Sequence, residues 1–593
     1  MPIRFILCFF SLLMVYKGHT QKPLSINSKT TSHFKNLVIT KDSTQLVSIV
    51  INVADTELFE RKYKSFIHNR YSPSKTYILK IPASDALKFV TDNNVLFIDA
   101  LRKPIEELTT GSLDINLNKL NFTHHLFPSL NGNGINASVK EQLFDSTDID
   151  FKGRYFNSGV AATTTSTHAT IMATMLGGGG NASPNSKGAA PGVGLTSSSF
   201  TSLLPDADEV YRKDNISVQS HSYGTDIENF YGADAKAYDI NVLQNPFLVH
   251  VFSSGNKGTS ASSEGTYVGI EGFANLTGSF KMAKNIITVG AVDSFNTLML
   301  LSSKGPAYDG RVKPELVAFG QDGSSGSAAL VAGTAAVLQQ AYHTIKGKLP
   351  SSFLIKAILI NSADDKGVDE VDYQYGFGSL NAYHALTTVL EQRFIEDSVN
   401  KRDLKRFTIQ VPQGIAKFKI SLVWNDAAAE ANATKALVNN LDATLSFEGD
   451  TWQPWILNHS ANKTALMTPA IRGKDTLNNV EQITISNPQA GTYTFTVNGH
   501  NLVDAVQPFA IAYQFDTVAT FKFTFPTASN ALPAATKQLV RWQMSFKEPT
   551  TLEYAINGGN WQLLQTQLVA TKEFIAFTVP EGAGYLLLRA TFG

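Results

Sequence analysis

Between residues 40 and 103 short β-branched runs alternate with amphipathic ones. LVSIVINV (Leu46–Val53), TYILKIP (Thr76–Pro82) and VLFIDAL (Val95–Leu101) read as strands, and the intervening period predicts helices over Glu57–His68 and Ala83–Thr91. The result is a small α+β unit. From Gly111 the pattern loosens, and Asn131-Gly-Asn-Gly134 marks a boundary. Residues 135–390 alternate strand-like apolar runs (NPFLVHVFSS, NIITVGAV) with helix-like ones (AALVAGTAAVLQQAY, SSFLIKAILINSA), as an α/β domain on a mainly parallel sheet requires. After about Glu396 the helical period disappears. RFTIQV, KFKISLVW, GTYTFTV and FAIAYQF, separated by Gly, Pro and Asn turns, predict one β-sandwich or jelly roll to about Phe515. A second, smaller β domain follows from Val518 to Gly593, with YAINGGNWQLL as a hairpin whose Asn557-Gly558-Gly559 turn needs positive φ. No repeat recurs at a fixed period. These shifts divide the chain into 21–110, 111–396, 397–516 and 517–593, behind a leader of residues 1–20.

The length of 593 residues suits about four domains at ~150 residues each. Apolar residues make up 43% and charged ones 17%, enough to bury several cores and too ordered a composition for a disordered chain. Lys+Arg and Asp+Glu are 50 each. There is no basic excess of the kind a nucleic-acid or membrane-surface binder uses. The leader changes the picture more. Arg4 precedes the apolar stretch Phe5–Tyr16 and the polar run KGHTQK, the layout of a secretory signal peptide. The stretch is too short for a membrane span, which takes about 20 residues, and no later segment qualifies. Cleavage after Thr20 would leave Gln21 first and would remove Cys8, the single cysteine. An exported monomer, stable without disulfides, is expected.

The α/β region carries three polar punctuations able to do chemistry. His168 opens HATIMATMLGGGG; Ser254-Gly255-Asn256 ends the strand LVHVFS; Ser325, in Gly323-Ser-Ser-Gly326, sits at the N-terminus of a small-residue helix. A hydroxyl activated by an imidazole, with helix and amide donors for a developing oxyanion, is what acyl transfer needs. Singly each is commonplace, since a Ser before a helix is usually a cap and an SGN turn usually only a turn. Their order is what singles them out.

In that order, residues 132–390 resemble the subtilisin-like serine peptidases, the subtilases. HATIMATML stands at the family's His motif, and KGAAPGVGL (Lys187–Leu195) is similar to its GVAPG segment. SVQSHSYG (Ser217–Gly224) resembles the strand that walls the substrate cleft, and SSGN the oxyanion loop. SSKGPAYDGRVKPELVAFG (Ser302–Gly320) and SSGSAALVAGTAAVL resemble the approach to the nucleophile and its helix; ILINSADD and YGFGSLNAYHAL resemble the closing helices. The resemblance implies a subtilisin-like parallel-sheet catalytic domain of the α/β class. It makes Ser325 the nucleophile, His168 the base, Asn256 the oxyanion donor, and Ser222, Tyr223 and Gly224 the strand that binds peptide substrates. The acid falls on Glu141, at the end of the apolar lead-in GINASV, where the family has Asp; Asp145, Asp148 and Asp150 are rivals in the polar loop beyond. Other departures are Ala169 and Ile171 after the His, Ser324 for the usual Thr, Ala329 for the usual Pro, and a short segment between Gly320 and Gly323.

The flanks fit the same picture. Residues 40–103 loosely resemble the propeptide, or inhibitor-like, domain that precedes many subtilases, which would be removed between about Leu101 and Leu130. Residues 398–516 resemble the jelly-roll domain of the oxidation-resistant alkaline subtilases, and 518–593 an immunoglobulin- or fibronectin-like module. The chemistry requires no cofactor. A structural calcium ion is the one the resemblance offers, with Asn439, Asp442, Asn479 and Glu481, beside Asn440, as oxygen donors. The expectation is an endopeptidase released from, or held on the surface of, a Bacteroidetes-type bacterium. The alternative is a catalytically impaired scaffold serving as a surface binding or adhesion protein, which the substitutions at Glu141, Ala169, Ser324 and Ala329 motivate.

Overall fold

A computed structural model describes residues 29–106, 114–545, 550–568, 573–582 and 584–592, with 105 and 106 through their backbone. The expected leader and the expected boundary near 110 lie outside these residues. Four strands, β1 (Leu46–Val53), β2 (Ile67–Tyr71), β3 (Thr76–Pro82) and β4 (Val95–Ala100), form an antiparallel sheet in the order β2-β3-β1-β4. Ile49, Ile51 and Leu79 on this sheet share a core with Phe34, Phe59 and Phe89 from helices Ser32–Thr40, Thr56–Tyr63 and Ala86–Val90. Two boundaries differ from the expected ones. The first long helix ends at Tyr63 and passes through a 3₁₀ turn into β2, an edge strand whose central His68, Asn69 and Arg70 are exposed. Such a strand lacks the apolar alternation that would separate it from a helix. The second begins as a 3₁₀ turn over Ala83–Asp85.

β5 (Ile105–Glu106) leaves this unit and is described with the cleft below. The central domain holds a six-stranded sheet of β6 (Asn136–Glu141), β7 (Gly194–Ser199), β8 (Ile216–His221), β10 (Val249–Ser253), β11 (Ile287–Val292) and β12 (Leu316–Phe319); a two-residue strand, β9 (Tyr223–Gly224), follows β8. The order is β12-β11-β10-β8-β6-β7, with parallel pairing throughout. Helices cover both faces, so β8, β10, β11 and β12 are buried along their whole length. The helix Ser324–Lys346 crosses the helix Thr167–Gly177 closely: a Cβ on Gly333 would lie 2.4 Å from the Leu176 carbonyl oxygen. β6 and β10 deliver their last residues to the carboxyl edge of the sheet, where open α/β sheets place their sites.

Residues 394–517 form two four-stranded antiparallel sheets around Phe418, Trp424, Leu441, Phe495 and Phe509. Buried Lys284 anchors this unit to the central domain, its Nζ 2.5 Å from Asp426 Oδ2 and 2.6 Å from the Ala436 carbonyl. Residues 521–592 form two three-stranded sheets. In the hairpin joining Thr550–Ile556 to Gln562–Gln565, Asn557 (φ 50°) and Gly558 (φ 73°) take the positive φ values, while Gly559 does not and closes the turn with its amide on the Ile556 carbonyl at 2.9 Å. Arg541 of this unit ion-pairs with Asp114 and donates to the Ser294 carbonyl at 2.6 Å.

Candidate functional site

β6 ends on Glu141, which is fully buried. The next helix, Thr167–Gly177, is capped by Ser166, whose hydroxyl accepts from the His168 amide at 3.1 Å and so fixes the first turn that carries the imidazole. His168 Nδ1 lies 3.1 Å from Glu141 Oε2. The three aspartates of the following loop are engaged elsewhere, two in local turns and Asp150 with a later loop. Asp145 accepts from Thr147, Asp148 from the Asp150 amide, and Asp150 from the Asn181 and Ala182 amides.

A residue that the motif reading passed over reaches the other imidazole nitrogen. Asp322 is fully buried, and its Oδ2 is 3.0 Å from His168 Nε2. His168 therefore lies between two carboxylates. Burial alone would lower its pKa; the charge of Glu141, then the contacts with Asp322, override that and push it up to about 11. In this arrangement both nitrogens hold protons. The sequence did contain a signal, since Gln321-Asp322 fills the shortened segment between Gly320 and Gly323, three residues before Ser325.

Ser325 is the second residue of the helix Ser324–Lys346, where unpaired amides and the helix dipole favour negative charge. Gly323 before it has φ 59°, and a Cβ there would meet Asn256 Oδ1 at 2.9 Å. The Ser325 hydroxyl is 3.4 Å from the Ser222 carbonyl oxygen, while the Ser222 hydroxyl donates to the Ser325 carbonyl at 2.9 Å. Asn256 is oriented by Ser324, whose hydroxyl (2.9 Å) and amide (3.3 Å) both donate to Asn256 Oδ1. That commits the Asn256 side-chain oxygen to Ser324. The hydroxyl of Ser324 thus suffices where a Thr would add only a methyl. Ala329 lets the helix run unbroken past a position where Pro would remove a backbone bond.

β5 pairs antiparallel with β9, Ile105 opposite Gly224 and Glu106 opposite Tyr223. The strand Ser222–Gly224 thus already receives an extended segment of the same chain.

The predicted cation donors divide into two groups. The Asn439 amide donates to Asp504 (2.7 Å) and Gln507 (2.9 Å), and the Asn479 amide to the Trp424 carbonyl (2.7 Å), so both cross-link the β domain. Asp442 Oδ2 and Glu481 Oε1, with Asn440 Oδ1, are buried oxygens without a hydrogen bond. Burial, then the charge of Asp475, raises the Glu481 carboxyl well above its usual range. Among the described residues no group of three or more His, Cys, Asp or Glu converges as a metal-ligand set.

Comparison with known proteins finds similarity over the central domain. Residues 132–378 match the subtilase family, Peptidase_S8. A stretch of 266 residues is 29% identical to the serine protease/ABC transporter B family protein tagA of Dictyostelium discoideum, covering 36% of this chain and 15% of that protein. The chain thus spans only a small part of that curated relative. Among solved structures, fervidolysin from Fervidobacterium pennivorans, a keratinolytic enzyme related to subtilisin, is 14% identical with a TM-score of 0.43, covering 92% of this chain and 85% of its own. The prenylagaramide maturation protease PagA is 21% identical with a TM-score of 0.36, covering 46% of this chain and 98% of its own. The chain carries a subtilase domain, of the serine-peptidase class, at residues 132–378. Among the described residues no helix is long and apolar enough to cross a membrane.

Proposed function

We propose that the chain is a secreted serine endopeptidase, made as a precursor, that hydrolyses peptide bonds through an acyl-enzyme on Ser325. The observation that carries this is the pairing of His168 Nδ1 with buried Glu141 at the sheet edge that also holds Ser325 and Asn256. In its neutral form His168 takes the Ser325 hydroxyl proton as the oxygen attacks the substrate carbonyl. Asn256 and the Ser325 amide receive the oxyanion, and His168 then gives the proton to the leaving amine. Water repeats the sequence to release the acid. Glu141 orients the ring and stabilises the imidazolium, as the family's Asp does from one methylene closer. Strand β9 with Ser222 holds the substrate extended by main-chain hydrogen bonds.

The N-terminal unit is, in this proposal, a propeptide. The pairing of Ile105–Glu106 on β9 supports it, because that segment takes the place a substrate would occupy. The proton held on His168 between Glu141 and Asp322 suits a latent precursor. Export rests on residues 1–20, and a calcium ion held by Asp442 and Glu481 would neutralise the Glu481 carboxyl, which burial disfavours as a charge.

A binding module is the second reading, favoured by Asp322 standing at the nitrogen through which the base must act. Intact-mass spectrometry of the processed protein with a fluorophosphonate separates the two. A single adduct that Ser325→Ala abolishes is expected; no adduct on a processed, folded chain supports the binding module instead.

A further inference from the structure

The C-terminal β unit reaches towards the cleft through one side chain that the mechanism above does not use. Arg541, from the strand Lys537–Met544, is buried, and one of its guanidinium nitrogens makes two contacts with the central domain. It pairs with the Asp114 carboxylate and donates to the Ser294 carbonyl at 2.6 Å. Beside it Phe574 of the same unit meets Phe295 with ring centroids 5.3 Å apart, and the guanidinium lies 5.7 Å from the Phe574 ring. The C-terminal unit thus grips two successive residues, Ser294 and Phe295, at the start of the segment that follows β11.

That segment is pinned at close intervals on its way to the oxyanion loop. Asp293 accepts from the Phe295 and Thr297 amides, the Leu298 amide donates to the Tyr375 hydroxyl at 2.9 Å, and the Met299 amide donates to the Ala291 carbonyl at 3.0 Å. Residues 301–303 then back the loop that carries Asn256. The Gly258 amide donates to the Leu301 carbonyl and the Ser303 amide to the Gly255 carbonyl, each at 2.8 Å, while the Lys257 amide donates to the Ser303 hydroxyl at 3.0 Å. The fit leaves no slack. A Cβ on Gly258 would lie 2.2 Å from the Ser302 carbonyl oxygen, and one on Gly323 would meet the Leu301 side chain at 2.8 Å and Asn256 Oδ1 at 2.9 Å. Segments packed this closely transmit a displacement rather than absorb it. The ion pair makes the grip firm: its two side chains are 5% and 16% exposed, and removing one partner of a desolvated pair strands the other charge.

We propose that Arg541 is a positioning residue for the oxyanion loop, so that the C-terminal unit sets the catalytic rate without touching the substrate. This rests on the peptidase reading, and the experiment keeps the two apart. The full chain is expressed and allowed to process, and its reactive serines are titrated to the endpoint with a fluorophosphonate. kcat and KM are then measured per titrated serine on one peptide substrate. Unfolding lowers the endpoint, whereas a displaced oxyanion loop slows labelling at an unchanged endpoint and lowers kcat. Arg541→Ala should lower kcat per serine by about 10- to 100-fold, the range that a misplacement of up to about 1 Å gives, with KM nearly unchanged. Arg541→Lys should recover most of the loss, because a single nitrogen makes both contacts. Phe295→Ala loosens the same segment from the other side of the contact and should give the same pattern; it decides the matter if Arg541→Ala does not fold. An unchanged kcat per serine in the folded variants overturns the role of Arg541 and leaves the peptidase standing; absence of both adduct and cleavage in the wild type overturns both.

Discussion

Replacing Asp322 by Asn removes the charge at His168 Nε2 while keeping the size and shape of the side chain. His168 now has a pKa of about 11, so at pH 8 only about one ring in a thousand is neutral and able to act as a base. One opposite charge at contact distance typically shifts a pKa by 1–3 units. With Glu141 left as the single partner, the neutral fraction at pH 8 should rise by about 10- to 500-fold. The assay is kcat/KM against pH on processed protein, with the His168 ring proton followed by NMR in a Ser325→Ala background. The alkaline half-point should move down by 1–3 units, and activity at pH 8 should rise in proportion. Stability should move the other way. Because the folded pKa lies above the unfolded 6.5, the contribution of protonated His168 is complete below about pH 6.5 and is lost as pH climbs towards 11. Asp322→Asn gives up part of it, about 1.4–4 kcal/mol at neutral pH. A pH–rate profile and ring titration superimposable on those of the wild type would refute the reasoning.

Asn256→Ala should lower kcat by about 10²–10³ with little change in KM, the signature of a lost oxyanion donor; an unchanged kcat removes Asn256 from the site. Glu141→Gln should cost up to about 10⁴ in kcat/KM while fluorophosphonate labelling slows but persists, a pattern that ordinary unfolding would not give. Calcium should raise the melting temperature of the wild type, and Glu481→Gln should abolish the response, read by calorimetry with and without chelator.

How much of this was legible depends on the kind of signal. Two of the parallel strands read correctly because burial on both faces makes them continuous apolar runs: NPFLVHVFSS and NIITVGAV contain β10 and β11. Burial does not by itself separate Glu141 from its rivals, because Asp150 is buried too while Asp145 lies in an exposed turn; what sets Glu141 apart is its contact with His168 Nδ1. β2 was missed because a short polar edge strand has no period of its own. Asp322 was missed for a different reason. It is placed by a loop, and its meaning comes from a residue 154 positions back along the chain, His168. The two-residue pairing of β5 with β9 likewise leaves no mark in the sequence pattern.

In the proposed release of the N-terminal unit, Arg102 is a charge that must be parted from buried carboxylates of the central domain. Arg102 ion-pairs with Asp99 on its own unit at 3.3 Å and with Glu228 and Asp234 of the central domain, the last at 3.4 Å. All three carboxylates are buried. Asp234 also accepts from Ser279 and the Ala235 amide, and Glu228 from the Ser279 amide and Thr225. Burial raises the Asp234 carboxyl, and the charge of Arg102 is the largest effect opposing that rise. When the segment leaves, that opposing charge leaves with it, and where Asp234 stays buried its pKa climbs further and the central domain takes up a proton. By linkage, separation that binds protons is favoured as pH falls. After processing, the N-terminal fragment should co-elute with the rest of the chain at pH 8 and dissociate towards pH 5 on gel filtration. Arg102→Ala should weaken its retention by about 30-fold or more at pH 8, the cost of stranding buried charges, and should flatten the pH dependence. Retention that is equal at both pH values, or tighter in acid, would show that Arg102 and Asp234 do not control the release.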